Sequence, residues 1–567
     1  MFRKLVPGVL AVTAFVLSAA PALAQEPGDS PLAALTGPNG KPARYVPKPA
    51  GTREVSKLWF GPYTVPPGQD MNRVDIDLPL RDGYLVSIEP TMQRVSDLSV
   101  PSHQEAHIHH AHWFALDPGN QEDNYTGGNT EWIFGNGDEE TKANFEERSA
   151  ADPNGPNYGE YIGASGPQLM IYMLHNKTNQ PLNTWIVLDV TFVHGTKAEL
   201  NQPGQKKPWH DVSGALFGRT YDVPRQPDGD GTYNTTQDMP KPIIWTSTLD
   251  GTIIGTGSHL HPGGIEVITE NLGTEKDPCP DDGRGLGGTT LLDSHTLFHY
   301  GALFSEDYQT EVTNPAWRAP IHKGDRIRIT GYYENKDHAW YTVMTHNGIY
   351  IDEAQPPKGR CAPYLVGGAQ PMHTVTKKVK KRVKYRINAK GKLVRTVLWK
   401  KVRKKVGIDV IAGVPNREWG HDHDTLCGLQ YGKPECDRPA EPRPTGDFTN
   451  QVLISDFLYV PGDTSLSGSP GAVPRVHKDQ SLSFVNVDEA ANIRHTVTTC
   501  ELPCNGAYVA NYPWANGAWD SGILGYDAID GGHPNPVAST PTDLAVGRYA
   551  YFCRIHPWMR GQFEVAP

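Results

Sequence analysis

Close to the end of the chain the sequence reads Cys553-Arg-Ile-His556-Pro-Trp-Met559, and His495 stands upstream in an Asn-Ile-Arg-His-Thr-Val-Thr stretch. A thiolate, two imidazoles and a thioether are the donors that soft, redox-active copper selects, the methionine serving as a weak axial ligand. This set constrains the fold. Cys-x2-His-x2-Met places three donors on one short loop between two strands, and the fourth has to arrive from an earlier strand. Such a cage needs a rigid β framework, which limits rearrangement between Cu(I) and Cu(II). The expectation is a type 1 copper at His495, Cys553, His556 and Met559.

The rest of the chain also reads as β structure. Glycine and proline punctuate it, and runs such as Gly83-Tyr-Leu-Val-Ser-Ile, Thr184-Trp-Ile-Val-Leu-Asp-Val-Thr-Phe-Val and Arg326-Ile-Arg-Ile-Thr-Gly-Tyr-Tyr have strand length and β-branched or aromatic content. No sustained apolar pattern at helical period is present. At 567 residues the chain has room for several domains. The expected fold class is all-β: two N-terminal jelly-roll-like sandwiches at about 50–200 and 205–370, a basic insertion and linker at 371–440, and a Greek-key sandwich at 446–567.

Residues 1–24 have the form of a secretory leader, with Arg3 and Lys4, an apolar core over 9–20, and Ala22-Leu-Ala24 before the cut. No later apolar run approaches membrane-spanning length. A secreted or periplasmic protein is therefore expected. Seven cysteines agree with an oxidising compartment: setting Cys553 aside as a metal thiolate leaves an even number. Proximity favours Cys279 with Cys361, Cys427 with Cys436, and Cys500 with Cys504, although six cysteines allow fifteen pairings.

Residues 377–405, with Lys377 and Lys405 at the ends, carry fifteen Lys or Arg and no acidic residue, in a chain whose net charge is −10. Val379, Val383, Tyr385 and Ile387 fall at odd positions, Asn388-Ala-Lys-Gly-Lys reads as a turn, and 393–402 reads as a return strand. The reading is a long basic hairpin, either a solvated arm or a docking element for an anionic surface or acidic redox partner. No nucleic-acid partner and no transmembrane segment are expected. A redox partner protein or small reductant is.

Histidines are concentrated in the N-terminal half. His107-Ile-His109-His110-Ala-His112 packs four imidazoles into six residues. At strand period two, His107 and His109 face one way and His110 and His112 the other, unless a bend joins the two faces. Downstream come His175 after an apolar strand, the pair His259-Leu-His261-Pro-Gly-Gly, and Met344 in Tyr-Thr-Val-Met-Thr-His346. His-x-His on a strand aims both rings at one point, and a methionine beside them again selects copper over zinc.

Two resemblances arise from these residues. Over 446–567, the His-Thr-Val-Thr segment, the Trp519-Asp-Ser-Gly run and the Gly547-Arg-Tyr-Ala-Tyr-Phe-Cys-Arg-Ile-His-Pro-Trp-Met end are similar to plastocyanin and halocyanin-type cupredoxins. Over about 85–355, the order His-His, lone His, His-x-His, Met resembles the two-copper hydroxylating monooxygenases of the peptidylglycine α-hydroxylating type. That resemblance implies an electron-transferring copper at His109, His110 and His175, and an oxygen-binding, catalytic copper at His259, His261 and Met344. The Gly135-Asn-Gly-Asp-Glu-Glu-Thr and His259-Leu-His-Pro-Gly-Gly stretches are also similar to the plant stress-up-regulated nodulin domain. Where amidating members hold a substrate carboxylate with an arginine and a tyrosine, the nearest positions here are Gly257 and Gly348.

Two function classes follow. The first is an exported copper oxidoreductase, in which the C-terminal site feeds electrons to a dioxygen-reactive N-terminal unit. The second is a non-catalytic copper carrier or buffer. No Ser/His/Asp order, phosphate loop or paired-carboxylate pattern recommends a hydrolase.

Overall fold

The computed structural model describes residues 32–407 and 448–567, apart from short internal stretches of which 117–129, 299–307, 501–518 and 526–534 are the longest, and for 372–407 the backbone alone. The expected leader, Cys427, Cys436 and Cys504 lie outside the described residues.

The protein is all-β, as the run-and-turn pattern predicts, with three successive pairs of sheets. In the first pair, one sheet holds Leu32–Ala33, Gly68–Asp77, Gln168–Asn176, Ala106–Leu116 and Thr130–Gly137 in spatial order. The other holds Trp209–Asp211, Asn157–Ile162, Gly83–Arg94, Leu182–His194 and Arg53–Val65. In the second pair, Ser213–Val223, Trp340–Asp352, Gly251–Leu260, Trp317–Ile321 and Tyr364–Leu365 face Thr232–Asn234, Arg326–Glu334, Gly264–Asn271 and Thr289–His295. The third pair combines Leu458–Val460, Gln451–Ser455, Ser483–Asn486 and Val537–Ser539 with Arg475–His477, Arg560–Ala566, Gly547–Phe552 and Thr498–Cys500. The basic segment is an antiparallel hairpin of Met372–Ile387 and Leu393–Gly407, closing at Ile387 opposite Leu393.

Burial explains why these runs are strands. Trp113, Tyr172, Phe60 and Ile186 fill the first core, and Trp317, Trp340, Ile253 and Ile329 belong to a second apolar cluster that continues through Phe484, Tyr551 and Phe563. Removing water from each such side chain is worth about 1.5–3 kcal/mol. Strand Gly251–Leu260 is buried almost throughout because it serves two cores: Ile253 joins the second cluster while its neighbour Ile254 joins the first. The two N-terminal sandwiches therefore share a seam. Gly348 sits there, where an added Cβ would stand 2.5 Å from the Trp132 ring.

Two short helices interrupt the strands among the described residues. Phe145–Ala151 is capped by Asn144, whose side chain accepts from the Glu147 amide, and Lys197–Leu200 carries a Thr196/Glu199 capping box. The first helix brings Arg148 to the seam, where its guanidinium donates to the Ile254 carbonyl. Of the cysteines, Cys279 and Cys361 form a disulfide, Cys500 is also disulfide-bonded, and Cys553 is free and buried. No helix among the described residues is long and apolar enough to cross a membrane.

Candidate metal centres and the seam between them

Strand Gly547–Phe552 delivers Cys553 at its end, and the chain returns as Arg560–Ala566, so the intervening loop is pinned between paired strands. Backbone bonds close it further: the Cys553 amide donates to the Met559 carbonyl at 3.2 Å, and the Met559 amide to the His556 carbonyl at 2.9 Å. His495 arrives from another segment through a bridge to Leu524. The Cys553 Sγ lies 3.6 Å from His556 Nδ1 and 4.0 Å from His495 Nδ1, and the two Nδ1 atoms are 3.2 Å apart. Cys553 and His495 are fully buried, Met559 1% exposed. The ligand atoms of His495, Cys553 and His556 come together in one enclosed group, and buried Met559 is tied to that loop through its backbone.

Its electrostatics suit a thiolate. Burial works to raise the Cys553 thiol, but His556 and His495 outweigh it and hold the thiol well below its usual range. Burial likewise opposes charge on His495, yet bonds to Asp488 and Cys553 push it up to about 9. The Asp488 Oδ2 accepts from His495 Nε2 at 2.9 Å, which fixes the tautomer and turns Nδ1 toward the sulfur. The Thr496 and His556 amides donate to Sγ at 3.3 and 3.4 Å. Amide bonds to a thiolate tune the potential of a soft metal held there. The residues fit copper by donor type, burial and tautomer.

The N-terminal histidines assemble differently. Strand Ala106–Leu116 pairs with Gln168–Asn176, His107 opposite His175 and Ile108 opposite Leu174, but His110 is opposite Met173. His109 is thus the extra residue of a β-bulge. A bulge shifts the alternation by one, so His110 and His112 join His107 on one face. The strict period-two expectation of two opposed faces is corrected accordingly, and the bend left open by the sequence is this bulge.

The second sandwich brings its own histidines to the same place. His259 stands directly opposite His346 on the adjacent strand, and by strand period Met344 shares the His346 face. The buried Tyr333 hydroxyl accepts from the His261 amide and donates to the Met344 carbonyl, tying the two positions together. The turn after His261 needs Gly263, at φ +85°, where a Cβ would also enter the Trp340 ring. Across the seam, His110 Nε2 lies 2.7 Å from His259 Nε2 and 3.4 Å from His261 Nε2. The ligand atoms of His109, His110 and His261 are all within 4.8 Å of one another.

The grouping therefore crosses the sandwiches, whereas the resemblance to the two-copper enzymes divides the residues as His109, His110, His175 and His259, His261, Met344. His175, fully buried, stands a step back, its ring 5.3 Å from that of His107 and 6.0 Å from that of His109. Its Nε2 lies 3.2 Å from the carbonyl of Arg554, the residue after Cys553. A carbonyl only accepts, so the His175 Nε2 is the donor in this contact. The Arg554 guanidinium reinforces the junction, reaching the Thr178 carbonyl at 3.2 Å and Asp520 at 3.1 Å.

Several participants were not assigned from sequence. His346 is pushed down to about 3 by burial, with His259 and His112 adding to it, so it is a neutral imidazole. Its Met344-x-His346 spacing on a strand was the signal. His112 accepts from the Trp132 indole at 3.3 Å through Nδ1, which makes it a donor at Nε2 rather than a metal ligand. Asp488, Tyr333 and the Arg554 carbonyl have no sequence signature.

No family model and no curated protein matches this chain. Among solved structures, it is similar to a purple cupredoxin from Nitrosopumilus maritimus at 15% identity, covering 21% of this chain and 100% of that one, with a TM-score of 0.14. A copper-containing nitrite reductase from Thermus scotoductus matches at 14% identity over 59% of this chain and 61% of that one, also at 0.14. A tandem CBM22 domain of Xyn10C from Paenibacillus barcinonensis matches at 9% identity, 57% and 97% coverage, and 0.14. Scores this low carry no argument about the chain. Nothing in these likenesses supports the resemblance to the two-copper monooxygenases or to the nodulin domain.

Proposed function

We propose that this chain is an exported copper redox protein in which a type 1 site at His495, Cys553, His556 and Met559 would take single electrons from an external reductant and pass them to copper held by the seam histidines, where dioxygen would be reduced. Copper held at these places would supply one-electron transfer at the first and dioxygen chemistry at the second. The observation that carries the reading is the contact between Arg554 and His175. It links the backbone one residue beyond Cys553 to a ring packed on His107 and His109. The protein's own groups do the rest: Asp488 fixes the His495 tautomer, the Thr496 and His556 amides stabilise the thiolate, and the neutral His346 keeps a lone pair available for a metal.

The alternative, a copper carrier without catalysis, keeps the Cys553 site and makes the seam a buffer. Refilling experiments separate the two. Fully reduced protein is mixed with dioxygen, and the return of the red thiolate-to-copper absorption is followed. In the oxidase-like reading, His109→Ala or His261→Ala slows that return by at least tenfold, while chemical oxidants still restore it at the wild-type rate. Equal rates with dioxygen would favour the carrier.

A further inference from the structure

Beside the histidines lies a cavity of about 160 Å³ at the seam. His110, His259 and His346 line it, and Trp132, Phe145 and Tyr350 supply apolar wall. Gly257 and Gly348 also line it, so no side chain from those two positions fills the space.

Its charge is one-sided. Arg148 lines the cavity, and its guanidinium makes one hydrogen bond, NH1 to the Ile254 carbonyl at 2.8 Å. No carboxylate pairs with it among the described residues. Glu147, next on the helix, is instead engaged by Asn144 at 2.9 Å. Directly behind, the fully buried Arg318 donates to the Arg148, Pro315 and Trp317 carbonyls and likewise has no carboxylate partner among the described residues. Exposed Lys142 lies at the same cavity. Burial and the Arg318 charge together push Arg148 down to about 10, which leaves it cationic at neutral pH. A half-buried and a fully buried guanidinium, neither with a carboxylate partner among the described residues, are costly unless an anion joins them.

We propose that this cavity binds a small organic carboxylate, its carboxylate on Arg148 and its apolar body against Trp132, Phe145 and Tyr350, with the end away from Arg148 directed at the histidines. Arginine suits this role because its fork holds a carboxylate through two parallel bonds. The assignment of such a molecule as the substrate rests on the redox reading above. Its binding does not.

Benzoate is the probe, and benzyl alcohol its neutral counterpart, titrated into the full-length chain with and without added copper. Expected is saturable benzoate binding in both states, weakened on the order of tenfold or more by Arg148→Met and less by Arg148→Lys, with benzyl alcohol binding far more weakly and indifferent to Arg148. Folding of each variant is checked by circular dichroism and by the red absorption at Cys553. Should Arg148→Met fail to fold, the benzoate-to-benzyl alcohol preference of the wild type decides. Equal binding of the two probes, benzoate binding that needs copper and ignores Arg148, or full competition by phosphate at equal concentration would overturn the proposal. Carboxylate binding in a protein that does not reduce dioxygen would retain this site and discard only the redox reading.

Discussion

The Cys553 site and the seam cluster are built from similar ligands by opposite means. At Cys553 the donors converge within one small sandwich, three of them on a loop between paired strands, and each is held by a specific bond from Asp488, Thr496 or the loop backbone. At the seam, His107 to His112 come from one sandwich and His259, His261 and His346 from another, and two of their nitrogens are 2.7 Å apart. The first arrangement fixes geometry in advance, which suits an electron carrier. The second depends on how two sandwiches meet, and it opens onto a cavity, which suits a place where something binds.

The sharpest way to break this contrast is to remove one donor from each. Cys553→Ser should abolish the red charge-transfer absorption completely while copper bound at the seam remains, measured by absorbance and metal content. A blue variant would refute the Cys553 assignment. Next in size, Asp488→Ala should weaken copper affinity at the Cys553 site by about 10–100-fold, because an outer partner orients and strengthens a metal-bound imidazole. Competition with a chelator reads this, and no change in affinity would mean that the cage is fixed without Asp488.

Arg554→Met probes the junction between the regions. Its carbonyl remains but the clamp onto Thr178 and Asp520 is lost, so electron transfer between the sites should slow several-fold with the red absorption retained. Rapid-mixing kinetics check it, and an unchanged rate would show that the guanidinium does not maintain the path. The smallest effect is expected from deleting residues 377–405. Both copper signals should persist, while reduction by an acidic partner slows at low salt and the difference fades as charges are screened beyond about 8 Å at physiological ionic strength. Identical kinetics at low salt would make the hairpin a solvated arm.

Much of the Cys553 site was legible in advance because its information is local. Seven consecutive residues contain three donors, and the hairpin of 372–407 was readable from alternation around Asn388-Ala-Lys-Gly-Lys for the same reason. The seam was only half legible. His107 to His112 and the His259/His261 pair announce themselves, but the bulge at His109 that gathers them has no sequence mark, since any residue can be the extra one in a ladder. Nor does a strand reveal its partner, so the pairing of His259 with His346 was invisible until registers were known.

The sequence by itself determined an all-β chain, a loop at Cys553 that carries the donor types a soft metal selects, and a supply of histidines on strands, because periodicity and close spacing act over a few residues. Tertiary structure alone decided that His110 meets His259 across two sandwiches, that Arg148 and Arg318 come together at the seam with no carboxylate partner among the described residues, and that Arg554 touches His175, 379 positions away in the chain. Such contacts depend on which faces are buried against each other. That choice belongs to the packing of whole sheets, where apolar area summed over many residues outweighs the preference of any one of them.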